Sequence, residues 1–201
     1  MAGRLLYMIT LLIISLEGAQ QHESRYIMRQ RLEDSCGFAV TASLLSCYWL
    51  DPVSEGFLIT RHLEQASDSS TAARNISFSS MRDILSAYGI ASLGFHVDID
   101  DLAELTRSYV PVICLDSGGA GHFYLLLGVT EQGGSEVFII ADPDWGIAYL
   151  SRESFAAVYS QRVLVSASAY KAPQTAHIEE LKEFADAFAV FHERWIHAGR
   201  L

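Results

Sequence analysis

Positive charge is scarce in this chain. Lys and Arg together number 14 against 24 Asp and Glu, a formal net charge of −10 over 201 residues. No segment gathers the basic residues into a stripe, which excludes nucleic acid or an anionic membrane surface as the partner of the folded body. Cysteine is equally sparse. Cys36, Cys47 and Cys114 make an odd set, so at least one thiol is left unpaired. There is no CxxC pair and no Cys/His spacing of the zinc-binding kind, and neither metal nor cofactor is expected. The apolar run from Leu5 to Leu16 falls short of the roughly 20 residues a membrane-spanning helix needs.

What that run does resemble is the centre of an export signal. Arg4 supplies a positive start, and Gly18 and Ala19 supply small residues after it. Residues 1–20 are expected to form a signal peptide. Because Glu17 sits where a cut after Ala19 requires a small residue, an uncleaved N-terminal anchor stays open. Either reading puts the body outside the cytoplasm and lets it touch a membrane only through that segment. Half of the residues are hydrophobic, enough for one cored domain over residues 21–170, followed by an amphipathic helix within 171–201.

The segment Met28–Leu50 organises the rest. Gln30 precedes Cys36, which is followed by Gly37 and Ala39, and Val40, Leu44, Cys47 and Tyr48 then recur at helical spacing as far as Pro52. The pattern predicts a loop that delivers Cys36 to the first turn of a buried helix. Free N–H groups at a helix start carry partial positive charge, and a thiol placed there ionises more readily to the nucleophilic thiolate. Gly37 is expected to leave room beside the sulfur, and Gln30 to aim its amide at an oxyanion forming there. The plain alternative is a buried structural cysteine, which is how Cys47 and Cys114 are read. Cys47 is expected to return to the helix face of Cys36.

Further helices are predicted over Val53–Leu63, over Met81–Tyr88 with a cap at Ser79 or Ser80, and after Asp98 or Asp100. A polar loop, Glu64–Ile76, lies between the first two and contains the sequon Asn75-Ile76-Ser77. Strands are predicted at Ala91–Val97, Val110–Leu115, His122–Thr130, Val137–Ala141, Ile147–Leu150 and Arg162–Ala167. A short helix begins at Ser151, and a last helix, His177–His197, carries Ile178, Leu181, Phe184, Phe188, Phe191 and Trp195 on one stripe. Helices first and an antiparallel sheet second is an α+β layout.

His122 opens a strand after the glycine-rich turn 117–121, and Asp142 closes the neighbouring strand. If Gln132–Ser135 is the hairpin turn, both lie at one end of the sheet. Asp142 could then fix the imidazole, and the imidazole could take the Cys36 proton. Taken singly, His122 reads as an edge histidine and Asp142-Pro143 as a turn opening. His22, His62, His96, His177, His192 and His197 have no such partners and are expected to be surface or packing residues.

With Arg29-Gln30, Cys36-Gly37-Phe38-Ala39, Gly121-His122-Phe123 and Ile140-Ala141-Asp142-Pro143 followed by Gly146 in view, the sequence resembles the papain-like cysteine peptidases that process double-glycine leader peptides of bacteriocins and related secreted peptides. The resemblance spans about residues 27–167. It implies a papain-like α+β fold with the nucleophile helix packed on a C-terminal antiparallel sheet. It also implies Cys36 as nucleophile, His122 as base, Asp142 as orienting residue and Gln30 as oxyanion donor. The substrate would be a peptide or protein precursor with a Gly-Gly type site, and a secretion system would be a further partner. The sequence departs from the family pattern at Ser35, where an aspartate usually precedes the cysteine, and at Asn75-Ile76-Ser77, where a glycine would be common. No ABC transporter follows, so the expectation is a solitary, exported member acting in the bacterial periplasm or at the outer face of the inner membrane. A leader-binding module with little proteolysis, or another papain-like amide hydrolase or transferase, stays open as the alternative.

Overall fold

The computed structural model describes residues 23–65, 76–106, 111–118 and 121–187, with no side-chain description for Gln65 or for 184–187. The export segment, Asn75 of the sequon and the distal part of the expected last helix, including Phe188, Phe191 and Trp195, lie outside these residues.

The expected cysteine helix forms as α1, Cys36–Ser43, with every residue buried. A helix enclosed all round cannot leave its hydroxyls to water. Thr41 donates to the Gly37 carbonyl (2.7 Å) and Ser43 to the Ala39 carbonyl (2.6 Å), which satisfies both within the helix. Ser43 also accepts from the Met28 backbone N–H at 2.8 Å, stitching the lead-in to the helix. The helix does not run on as α to Asp51. Leu44–Tyr48 is a π-helical turn, and Leu50, at φ 55°, ends it. The wider turn breaks the spacing expected to bring Cys47 back to the face of Cys36. Cys47 is instead half-buried near the lead-in, 3.8 Å from the Ser24 carbonyl.

Helices α2 (Glu55–Gln65), α3 (Phe78–Ala87) and α4 (Ile99–Thr106) follow with β1 (Ala91–His96) between the last two. The cap of α3 is Ser77, whose hydroxyl accepts from Ser80 N–H, and not Ser79 or Ser80 as expected. Asp98 caps α4 by accepting from Asp100 and Asp101 N–H. The rest is β2 (Val112–Asp116), β3 (Phe123–Gln132), β4 (Ser135–Asp142), β5 (Gly146–Ser151), α5 (Arg152–Val158), β6 (Tyr159–Ala167) and α6 (Ala176–Ala187).

The strands form one antiparallel sheet in the order β1-β6-β2-β3-β4-β5. One face carries Ile113, Leu125, Leu127, Ile139 and Leu164, packed against α1, Leu58 of α2, Met81 and Leu85 of α3 and Ile178 and Leu181 of α6. The other carries Cys114, Tyr124, Leu126, Phe138 and Val163 under Leu102 of α4 and Phe155 of α5. The α+β papain-like layout is thus present, with β1 joining the sheet from within the helical half.

The β3–β4 hairpin closes through Gly133 (φ 57°) and Gly134 (φ 82°), the left-handed pair that a two-residue turn of this hand requires. Its register runs from Gln132↔Ser135 to Gly128↔Ile139, then shifts to Leu126↔Ile140 and Leu125↔Ala141. The shift is a β-bulge at Leu127, one extra residue on β3. It changes which face the alternate residues of β3 meet. Leu127 joins the first core cluster, while Val129, two residues on, packs against the second.

Gly37 is not beside open space. A Cβ there would lie 2.7 Å from Ile76 Cγ1, 2.8 Å from Met81 Cε and 3.4 Å from a Phe123 ring carbon. The glycine is needed because α1 is pressed against these side chains. Gly37→Ala should therefore cost about 1–3 kcal/mol by overpacking. Gly56→Ala, where nothing lies within 4 Å, should gain about 0.4–1 kcal/mol through the unfolded chain. Urea unfolding of both variants measures this; a neutral Gly37→Ala would contradict the close packing.

Candidate active site

Cys36 is the first residue of α1 and retains 7% exposure. The residue before it, Ser35, holds the N-cap position without capping: its side chain makes no bond to the helix N–H groups. Its hydroxyl turns back to the Glu55 carboxylate (2.5 Å) and to the Leu32 carbonyl (2.8 Å). Its own carbonyl accepts from Ala39 N–H at 3.0 Å, which begins the helical ladder.

His122 stands just before β3, after Gly121 at φ 68°. Its carbonyl accepts from Asp116 N–H at 2.8 Å, which fixes the backbone. Its ring Nε2 lies 2.9 Å from Asp142 Oδ2. With Nε2 so engaged, Nδ1 is the nitrogen left to face Cys36, whose sulfur is near enough to help raise the pKa of the ring. The hairpin therefore brings His122 and Asp142 to one end of the sheet, against the start of α1.

Asp142 is itself held. Its Oδ1 accepts from Asp144 N–H (2.8 Å) and Trp145 N–H (3.2 Å) across the turn that follows. Burial works to raise its pKa, yet the His122 bond, the imidazolium charge and these two N–H groups hold it below the ordinary carboxylate value. For His122 burial works to lower the pKa. The hydrogen bonds and charges of Asp142 and Cys36 outweigh it and lift the imidazole from 6.5 to about 10. The other two cysteines are held as thiols. Burial pushes Cys47 up to about 11 and Cys114 well above the ordinary thiol value.

Gln30 is tied to the same end. Its backbone N–H donates to the Pro143 carbonyl at 2.8 Å, in the turn after Asp142. Its Nε2 donates to the Glu33 carbonyl at 3.2 Å, and its Oε1 is buried with no hydrogen-bond partner among the described residues. An amide NH₂ has two hydrogens, so one remains for a further acceptor.

Two carboxylates that shape the site stood out in no motif. Glu23 Oε1 accepts from Ile147 N–H at 3.1 Å and lies 3.6 Å from Arg29 Nη1. It closes over Gly146, at φ 94°, where a Cβ would fall 1.4 Å from that oxygen. Glu55, at the start of α2, is 4% exposed and grips the loop before Cys36. Glu23 sits in a polar stretch where a carboxylate reads as solvated, and Glu55 stands between Val53 and Phe57 near the start of a predicted helix, so only a spacing to the glycine or the serine could have singled them out. The remaining described histidines pack or face out. His177 lies between the rings of Tyr26 (5.2 Å) and Tyr48 (5.1 Å), His62 meets Phe38 edge-on at 5.4 Å, and His96 is exposed on β1. Among the described residues no group of three His, Cys, Asp or Glu could hold a metal ion. A groove between α2 and α3, lined by residues such as Leu58, His62 and Tyr88, shares no residue with this site.

A family model described as the Peptidase C39 family matches residues 24–171. Among solved structures, the peptidase domain of Streptococcus ComA, a bi-functional ABC transporter involved in a quorum-sensing pathway, is similar at TM-score 0.58 and 20% identity. That match covers 71% of this chain and 98% of the domain. A double glycine motif protease from an AMS/PCAT transporter, in complex with the leader peptide, is similar at TM-score 0.54 and 18% identity, covering 73% and 90%. The peptidase domain of Streptococcus mutans ComA gives 0.51 and 18%, covering 71% and 98%. At these identities the likeness shows the fold. No curated protein sequence matches the chain.

The ring titration gives a direct check. An imidazole raised from 6.5 to about 10 stays charged through neutral pH. The stability this lends is whole below 6.5 and is lost as pH rises through 10. Asp142→Asn removes the carboxylate charge and leaves burial to dominate, so the His122 pKa should fall. Histidine ring NMR against pH should show a His122 midpoint near 10 in the wild type and a lower one in Asp142→Asn. An unmoved midpoint would uncouple the two residues.

Proposed function

The chain belongs to the Peptidase C39 family and is a cysteine peptidase, and we propose that it cuts a precursor peptide or protein after a double-glycine type site, with Cys36, His122, Asp142 and Gln30 as its working residues. The observation that carries this reading is the imidazole of His122, engaged by Asp142 at 2.9 Å on Nε2 and lifted in pKa by both Asp142 and Cys36. Such a ring can take the thiol proton and hold it as imidazolium.

The steps then follow. The Cys36 thiolate attacks the scissile carbonyl carbon, and the C=O electron pair moves to the oxygen. The uncommitted Gln30 amide hydrogen stabilises that oxyanion. Collapse of the intermediate breaks the C–N bond, and His122 gives its proton to the departing amine, leaving a thioester on Cys36. His122 then takes a proton from water as the water attacks the thioester, and the acid product leaves with the thiolate restored. Asp142 keeps the ring turned throughout and stays ionised.

A preference for glycine before the cut is supported by the double-glycine motif protease whose fold the chain shares. The substrate would be a secreted peptide or fibre subunit. Residues 1–20 would act as signal peptide or anchor and place the peptidase, residues 21–170, in the periplasm or at the outer face of the inner membrane, a reading that rests on Arg4 and the Leu5–Leu16 run.

Cys36→Ala should abolish cleavage of a synthetic Gly-Gly leader peptide, and valine in place of the glycine before the cut should do the same to the wild type. Gln30→Ala should lower kcat by about a hundredfold with little change in KM, since its bond is made to charge that develops after binding. Mass spectrometry of the products with steady-state rates decides both. Undiminished cleavage by Cys36→Ala, or equal rates on the valine peptide, would overturn the chemistry or the specificity respectively. In the native protein iodoacetamide should modify Cys36 before Cys47 or Cys114; the reverse order would remove Cys36 as the nucleophile.

A further inference from the structure

Glu55 is a carboxylate buried to 4% exposure at the start of α2, and the cleavage steps above do not use it. Burying a charge is costly unless it is fully bonded. Among the described residues, all the hydrogen bonds that Glu55 accepts come from one short loop. Oε1 and Oε2 each accept from Arg31 N–H at 3.2 Å, and Oε1 accepts from the Ser35 hydroxyl at 2.5 Å. The residues it grips are the ones next to Gln30 and Cys36. Ser35 is fully buried, and its carbonyl starts the α1 ladder. Leu32 N–H also donates to the Ser35 hydroxyl at 3.2 Å, so the loop is folded back on the same atom that Glu55 holds.

We propose that Glu55 is a positioning residue of the active site: its carboxylate clamps both ends of the loop 31–35 and so fixes where the Gln30 amide stands relative to the Cys36 sulfur. The clamp rests on the roles given to Gln30 and Cys36 under Proposed function. It acts through geometry. Among the described residues the Gln30 side chain has one anchor, the 3.2 Å bond to the Glu33 carbonyl, and that carbonyl lies inside the clamped loop. If the loop relaxes, the donor moves with it, and a misplacement of about 1 Å in a catalytic group can cost about a hundredfold in rate. A carboxylate suits the task because both oxygens accept, and because the first turn of a helix favours negative charge.

Glu55→Gln is the informative variant. It keeps size and one acceptor oxygen, but it turns an NH₂ toward donors that a carboxylate oxygen accepted. The expected result is a kcat lowered about ten- to a hundredfold with KM within about twofold, a small change in melting temperature, and faster deuterium uptake confined to the peptide that spans residues 28–35. Because Glu55 would act through Gln30, the Gln30→Ala/Glu55→Gln double variant should be hardly slower than Gln30→Ala alone. Ser35→Ala, which removes the hydroxyl from the clamp, should reproduce the uptake change. Unchanged uptake in 28–35, a wild-type kcat in Glu55→Gln despite raised uptake, or rate losses that multiply in the double variant would each overturn the proposal. A wild type that leaves every Gly-Gly peptide intact would instead sink the substrate class, while the uptake of Glu55→Gln and Ser35→Ala would still decide whether Glu55 holds the loop.

Discussion

The site depends on the register of one hairpin. His122 and Asp142 belong to opposite ends of the β3–β4 unit in sequence, and they meet because the Gly133-Gly134 turn fixes the pairing from Gln132↔Ser135 onward. The bulge at Leu127 then inserts one residue between the turn and the site end of β3. A one-residue slip in a two-sided sheet exchanges the faces of every side chain beyond it. The bulge thus lets the turn end and the site end of β3 each present apolar residues to the correct core. It also determines which residue of β3 stands across from the end of β4. The cores on the two faces hold that register in place, since undoing the bulge would drive Leu125 and Leu126 to the wrong sides.

Around this hairpin the polar groups are tied by carboxylates, hydroxyls and backbone amides rather than by disulfides. The three cysteines are all free. Glu23 fastens the lead-in to β5, Ser43 fastens it to α1, and Gln30 N–H fastens it to the turn after Asp142. Asp142 spends one oxygen on its own turn and the other on His122. An aspartate with both oxygens committed has little freedom to swing, and the imidazole inherits that rigidity. The two groups also hold each other charged, because the depressed carboxylate and the raised imidazole each favour the ion-pair form.

Much of this was legible in the sequence, for physical reasons that differ by element. Cys36 at a helix start, the glycine turn of the hairpin and the caps Asp98 and Ser151 are local patterns, and local chemistry decides them. His122 and Asp142 could be brought together on paper because a tight hairpin converts sequence distance into spatial proximity. The misreadings involve information from elsewhere in the chain. Leu44–Tyr48 looks like continuing α-helix, and nothing in Leu-Leu-Ser-Cys-Tyr announces the π turn. Gly37 looked like room for a substrate, whereas Ile76 and Met81, far off in sequence, occupy that room. The bulge at Leu127 lies in a run of leucines whose faces cannot be told apart by type. Glu23 sits among polar residues and Glu55 near the start of a predicted helix, and their bonds become visible only once the chain is closed.

The tie between the lead-in and the far turn has a consequence in time. Glu23 and Ile147 are separated by 124 positions, and Gln30 and Pro143 join the same two regions. Contacts between such distant segments close late, because the entropy of the intervening loop must be lost before they return anything. The cysteine helix and the hairpin can each form from local contacts. The Gln30 loop comes to rest beside the His122–Asp142 end only when the first and last thirds of the domain have docked. A chain still emerging, partly unfolded or cut within the sheet therefore lacks an assembled site. Full closure of the fold is the event that switches the chemistry on.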